Sequence, residues 1–322
     1  MSHVETLGVL AHRGGLIVDR PEMTIGVVRA ISRPTGLELD LLARRPLDRR
    51  SAPERQADIR AGRFTPPAPR QLLPDHDEGM DLRIAWLDSS GHAHWQFGGS
   101  RSSWSGDHYE GAEGPGIRAG LTLPPLFDRA PVVFAWPEIG FPETIVELPL
   151  PDRATVGHGT VPIWAAPFDV RRPPSPLRSR AGEFCHESPH VEAGRIIAGP
   201  RVLNRDRRVA VILNRLTAVG GILSLEILSV AHGEPARAAS AEAFPGGGPP
   251  PRDPGAAVAV LHDREAVWLP AHESSAAGGD TDFRSTADFL LDRPGSDTLT
   301  LLIAWPTAGL LDACVDIPLH PA

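Results

Sequence analysis

The chain has 322 residues, 41% of them hydrophobic, enough for two ordinary domains and too apolar for general disorder. Its 32 glycines and 34 prolines make up about a fifth of the residues against a typical ~12%, which opposes long helices and favours short strands joined by turns. Net charge is −8 and every basic residue is Arg, so broad nucleic-acid binding is disfavoured and lysine-based chemistry is excluded.

In chain order, IGVVRAIS (25–32) and LELDLL (37–42) read as the first strands, with Leu37, Leu39 and Leu41 inward and Glu38 and Asp40 on a solvated face. An insertion over 44–81 follows, with a short helix expected within 51–64. LRIAWLDSSGHAHW (82–95) reads as a hairpin with a polar turn, and VVFAW (132–136) and TIVELPL (144–150) as the closing strands. A Pro- and Arg-rich linker spans 151–190. A second run then repeats the order: VAVILNRLT (209–217), LSLEIL (223–228), a breaker-rich irregular insertion at 232–255, VAVLHDREAVW (258–268) and LLIAW (301–305).

The repeat is clearest where AWPEIGFPETIVELPL (135–150) aligns without a gap to AWPTAGLLDACVDIPL (304–319). Trp136 and Trp305 match and are expected as core anchors. The expectation is an all-β protein of two tandem immunoglobulin-like β-sandwich repeats, about seven strands each, with long irregular insertions. The first repeat is 1–150, the linker 151–190 and the second repeat 191–322. Two cysteines, Cys185 and Cys314, make no disulfide framework, and no leader or apolar span of ~18 residues is evident, so a cytoplasmic protein is expected.

No cofactor is expected. The leading reading is a non-enzymatic binding or structural protein whose partner is another protein, with strand edges available for a homo-oligomer. Its candidate contacts are the Ser/Gly-rich loop 98–116, holding Trp104, His108 and Tyr109, and the basic arm of Arg44, Arg45, Arg49 and Arg50. His186-Glu187-Ser188-Pro189-His190 spells the H-E-x-x-H letters, but Pro189 opposes the helix that motif needs. His92 and His94 share one face at strand spacing.

A different chemistry is suggested by Ala11-His12-Arg13-Gly14, Pro21-Glu22-Met23-Thr24, Glu38-Leu39-Asp40 and His76-Asp77. This set resembles the glycerophosphodiester phosphodiesterase family. The resemblance implies a barrel, with His12 and His76 as acid and base and Glu22, Glu38 and Asp40 as metal ligands. It supplies the alternative reading, a metal-dependent hydrolase.

Overall fold

The computed structural model describes residues 5–46, 48, 50–62, 65–74, 81–96, 100–104 (backbone only), 114–183, 194–245 and 254–319. Its contacts divide the chain into two compact units, residues 11–157 and residues 158–322 together with 1–10.

The first unit contains β1 (Gly15–Arg20), β2 (Met23–Arg33), β3 (Gly36–Arg44), α1 (Ala52–Arg60), β4 (Arg83–Leu87), β5 (Ala93–Gln96), β6 (Ser100–Trp104), β7 (Gly116–Leu123), β8 (Arg129–Trp136) and β9 (Phe141–Pro149). β1, β2, β3, β7 and β6 pair side by side in that order. The opposing sheet runs β9-β8-β4-β5. Alternation does the sorting: Ile25, Leu39, Leu41 and Leu121 from one sheet meet Ile84, Val132, Phe134 and Leu148 from the other in one core.

Between residues 158 and 322 lie β10 (Arg178–Ala181), β11 (Arg195–Ala198), β12 (Arg201–Arg205), β13 (Val209–Val219), β14 (Ile222–His232), α3 (Glu234–Ala243), β15 (Ala257–His262), β16 (Glu265–Trp268), β17 (Ala271–Gly278), β18 (Asp282–Asp292), β19 (Thr298–Trp305) and β20 (Leu310–Pro318); α2 (Arg153–Gly159) precedes them. One sheet runs β11-β13-β14-β18-β17, with β12 also on β13, and the other β10-β16-β15-β19-β20. Leu213, Leu225, Ile227 and Phe289 pack on Val258, Leu301, Ile303 and Val315.

Both units are β-sandwiches of immunoglobulin order. β2-β3-β7-β6 and β13-β14-β18-β17 correspond to strands A-B-E-D, and β9-β8-β4-β5 and β20-β19-β15-β16 to G-F-C-C′. Eight strands, not seven, thus form this shared arrangement among the described residues, because the C′ strand joins the sheet. Among the described residues the strands pair into these sheets, not into the barrel implied by the phosphodiesterase resemblance.

The two F–G turns match in backbone. Trp136 and Trp305 both have φ −145, each is followed by a 3-10 turn begun by Pro, and Gly140 and Gly309 end the turns at φ 83 and 75. That left-handed region favours glycine, which explains the shared A-W-P-x-x-G spacing. Both tryptophans are buried.

Two expectations change. Residues 232–255 were expected to be irregular, yet α3 forms there, because Ala236, Ala239 and Ala243 recur at helical spacing and bury into the core. Glu38 and Asp40 were expected on a solvated face; the Glu38 side chain is 42% exposed, yet Asp40 is 6% exposed and its counterpart Glu226 1%. Arginines meet both: Arg118 on Asp40 at 2.8 Å and Arg215 on Glu226 at 3.1 Å. A buried carboxylate needs such a partner.

The outer face of each G-F-C-C′ sheet is also covered. In the first sandwich Leu72 packs on Ala85, Ala93 and Val133. The Glu143 carboxylate of β9 accepts the backbone N–H groups of Gln71, Leu72 and Leu73 at 2.8–2.9 Å, which fastens that segment down. In the second, Leu177 packs on Ala259, Ala266, Leu302 and Cys314, and Arg171 bridges to Cys314.

Candidate functional site

The B–C, D–E and F–G connections of the first sandwich leave its sheets at one end. The pairing register shows this directly: Asp19, Thr24, Arg44, Gly116 and Trp104 lie in one row across β1, β2, β3, β7 and β6. The basic arm that begins at Arg44 and the aromatic loop that leaves β6 at Trp104 therefore share a root, although sixty residues of chain separate them. The Arg45 N–H donates to the Pro115 carbonyl at 3.0 Å. Its guanidinium lies 5.2 Å from the centre of the Trp136 ring, which ties the B–C connection to the F–G turn. At that turn Glu138 accepts from Arg70 and from the buried Arg83.

α1 begins with a capping box. Ser51 Oγ accepts from the Glu54 N–H, and the Glu54 carboxylate accepts from the Ser51 N–H at 2.7 Å. Arg50 holds Asp48 through its Nε and Asp58 through a terminal nitrogen, both at 2.8 Å. The hydrogen bonds from Arg50 hold the Asp48 carboxyl down to about 2. α1 buries none of its residues. The equivalent connection of the second sandwich behaves oppositely, since α3 inserts its alanines into the core beside Ala308 of the F–G turn and seals that end.

His108, Tyr109, Arg49 and His76 lie outside the described residues, as do the side chain of Trp104 and the segment His186–His190. Of the phosphodiesterase-like set, half-buried His12 has its Nδ1 accepting the Gly14 N–H at 3.1 Å, and burial pushes its pKa down. Glu22 sits in the turn before β2, whereas Glu38 lies opposite Ile31 near the far end of that strand and pairs with Arg33. At about 3.4 Å per residue, the run from Met23 to Ile31 is about 27 Å. Glu22 is therefore not brought together with Glu38 and Asp40.

His92 and His94 do come together, with ring centres 5.0 Å apart. His94 also stacks on Trp86 at 4.3 Å, and its Nε2 meets Asp88 at 2.9 Å. Asp88 organises this hairpin: it accepts from the Ser90 hydroxyl, from His94 and from the His92 N–H, and these bonds depress its pKa. A depressed carboxyl stabilises the fold above the ordinary aspartate range near ~3.9 and loses that contribution as pH falls through the lower native value. Hydrogen-exchange protection in the β4–β5 hairpin, corrected for the intrinsic pH dependence of amide exchange, is thus expected to hold steady at neutral pH and to fall in acid more in the wild type than in Asp88→Asn; identical pH profiles would refute this.

Among the described residues no group of three or more His, Cys, Asp or Glu side chains is placed to hold a metal ion. The second sandwich has a cleft of about 500 Å³ whose lining includes Val260, Val267 and Leu290 together with Arg180, Glu183, Asp292 and Arg293. No helix among the described residues is long and apolar enough to cross a membrane.

Three features were not read from the sequence: the Glu143 latch, the Arg215–Glu226–Asp288 cluster, and His232, whose ring nitrogens meet Asp282 at 2.6 Å and Glu5 at 3.2 Å. Only the alignment of Glu226 with Asp40 signalled any of them.

No family model and no curated protein matches this chain. Among solved structures, bovine butyrophilin is similar at 12% identity over 90% of this chain and 93% of its own, with a TM-score of 0.21. A conserved domain protein from Bacillus anthracis is similar at 9% identity over 96% and 92%, also at 0.21. Superpositions this loose carry no argument. What defines the class, a two-sandwich β protein of immunoglobulin order, is its own strand pairing.

Proposed function

We propose that this chain is a non-enzymatic binding protein made of two copies of one sandwich, which meets a protein partner at the B–C, D–E and F–G end of the first. The contrast between the two ends carries this reading: α3 closes one, while α1 stands on the other with nothing buried. A solvated helix, a Ser/Gly-rich loop with Trp104, His108 and Tyr109, and the arginines Arg44, Arg45, Arg49 and Arg50 supply rigid aromatic anchors and adaptable polar groups. In immunoglobulin variable domains the B–C and F–G loops of the same end make the contacts, which is an analogy of fold.

A photo-crosslinker at Tyr109 is expected to join this protein to a second polypeptide, while one at Asp280 of the sealed end is not. Equal yields from both positions would remove the reading. The hydrolase alternative needs Glu22 beside Glu38 and Asp40, and β2 separates them. Purified protein with added Mg²⁺, Ca²⁺ or Zn²⁺ is therefore expected to leave bis(p-nitrophenyl) phosphate unhydrolysed; turnover abolished by His12→Ala would reverse that.

A further inference from the structure

We propose that α1 is the docking face for an acidic protein surface with an apolar centre, an inference that rests on the binding role of the same end. The acids of this segment are already engaged. Glu54 serves the helix cap, and Asp48 and Asp58 are both held by Arg50. The cations are not matched in the same way. Arg45 lies over an indole, Arg55 donates to the Arg50 carbonyl at 2.8 Å, and Arg60 reaches Gln56 at 3.4 Å. All three are exposed; Arg55 is near enough to Asp48 to help lower its pKa, but the side-chain hydrogen bonds of Asp48 go to Arg50 rather than to Arg55.

The helix adds an apolar element. Ile59 is 58% exposed and sits four residues after Arg55, one turn along the same face. Arg60 follows it directly. The result is an exposed isoleucine with Arg55 one turn before it on the same face and Arg60 next to it in the chain, on a helix whose own acids are turned to internal work. Guanidiniums bind carboxylates in a planar fork, and an exposed apolar side chain on the same short helix favours a partner that offers an apolar contact as well as charge. A polypeptide rich in acidic and aromatic residues meets both conditions. A nucleic-acid duplex, whose outer surface is phosphate and sugar, meets only the first.

The nine-residue helix is only about 14 Å long at about 1.5 Å per residue, so the contact is small and strongly salt-dependent. The test uses the full chain and a fluorescent copolymer of glutamate and tyrosine, read by anisotropy. The wild type is expected to bind, with affinity falling as salt rises. The double variant Arg55→Glu/Arg60→Glu is expected to bind about tenfold or more weakly, and Ile59→Ser several-fold more weakly. Arg55→Lys/Arg60→Lys, which keeps the charge, is expected to retain most of the binding. Because α1 buries nothing, these variants leave the core intact, and an unchanged circular dichroism spectrum checks this.

Unaltered copolymer binding in the charge-reversal variant would overturn the proposal, as would tighter binding of a DNA duplex than of the copolymer. The Tyr109 crosslink separates this from the broader reading. A crosslink that persists in the charge-reversal variant leaves the binding end standing and removes the acidic-partner chemistry. Loss of the crosslink in that variant supports both.

Discussion

Glu226→Ala is expected to destabilise the second sandwich by about 3–5 kcal/mol, the range for removing one partner of a buried ion pair. Arg215 and Glu226 are each 2% exposed at the side chain, and Arg215 Nε donates to Glu226 at 3.1 Å. The same guanidinium donates to Asp288 at 3.0 Å, to Thr217 and to Ser224, while Asn214 Nδ2 donates to the other Glu226 oxygen at 2.8 Å. The register sets this up, since Arg215, Glu226 and Asp288 lie directly opposite one another on β13, β14 and β18. Truncation leaves a buried guanidinium with one carboxylate and the Asn214 amide without its acceptor.

Equilibrium denaturation followed by hydrogen exchange in β13 and β14 assigns the loss to this unit. The double variant Arg215→Met/Glu226→Met is expected to cost less than the two single changes added together, because neither member of the buried pair is then left without the other, while Asp288 loses its guanidinium with or without the second change. A single-variant loss under about 1 kcal/mol would mean that the pair is hydrated rather than buried.

Trp305→Ala carries a loss of similar size, about 3–5 kcal/mol from the same unit. The residue is 2% exposed, and its ring lies 5.9 Å from the Phe283 ring at 51° within the main core. Trp136→Ala removes the matching anchor of the first sandwich, but it does one thing more: it takes away the ring under Arg45. The two variants should therefore part company in function. Thermal unfolding is expected to show a lowered transition in both, whereas copolymer binding and the Tyr109 crosslink are expected to weaken only in Trp136→Ala. Equal binding by the two would disconnect Trp136 from the loop end.

Much of the strand arrangement is legible in local pattern. The period-two alternation of LELDLL placed Leu37, Leu39 and Leu41 in the core, and the polar Asp-Ser-Ser-Gly run marked the β4–β5 turn. The helix expected within 51–64 is α1, which begins with the capping box of Ser51 and Glu54. α3 escaped notice because Pro and Gly dominate the residues that follow it, and small alanines give a weak apolar signal. The candidate site was legible only in pieces. Arg44 and Trp104 were each singled out, and nothing local says that they belong to neighbouring positions of one sheet.

By itself the sequence determined the features that depend on a few adjacent residues: the strand periods, the glycine that each A-W-P-x-x-G turn requires, the cap of α1 and the order in which strands recur. Tertiary structure decided the features that depend on pairing between distant strands. It buried Asp40 and Glu226 against arginines, joined Arg44 to Gly116 and Trp104 in one row, and sealed one loop end with α3 while leaving α1 outside. The physical reason is that side-chain alternation selects a face of a strand, but only long-range register and packing determine what covers that face.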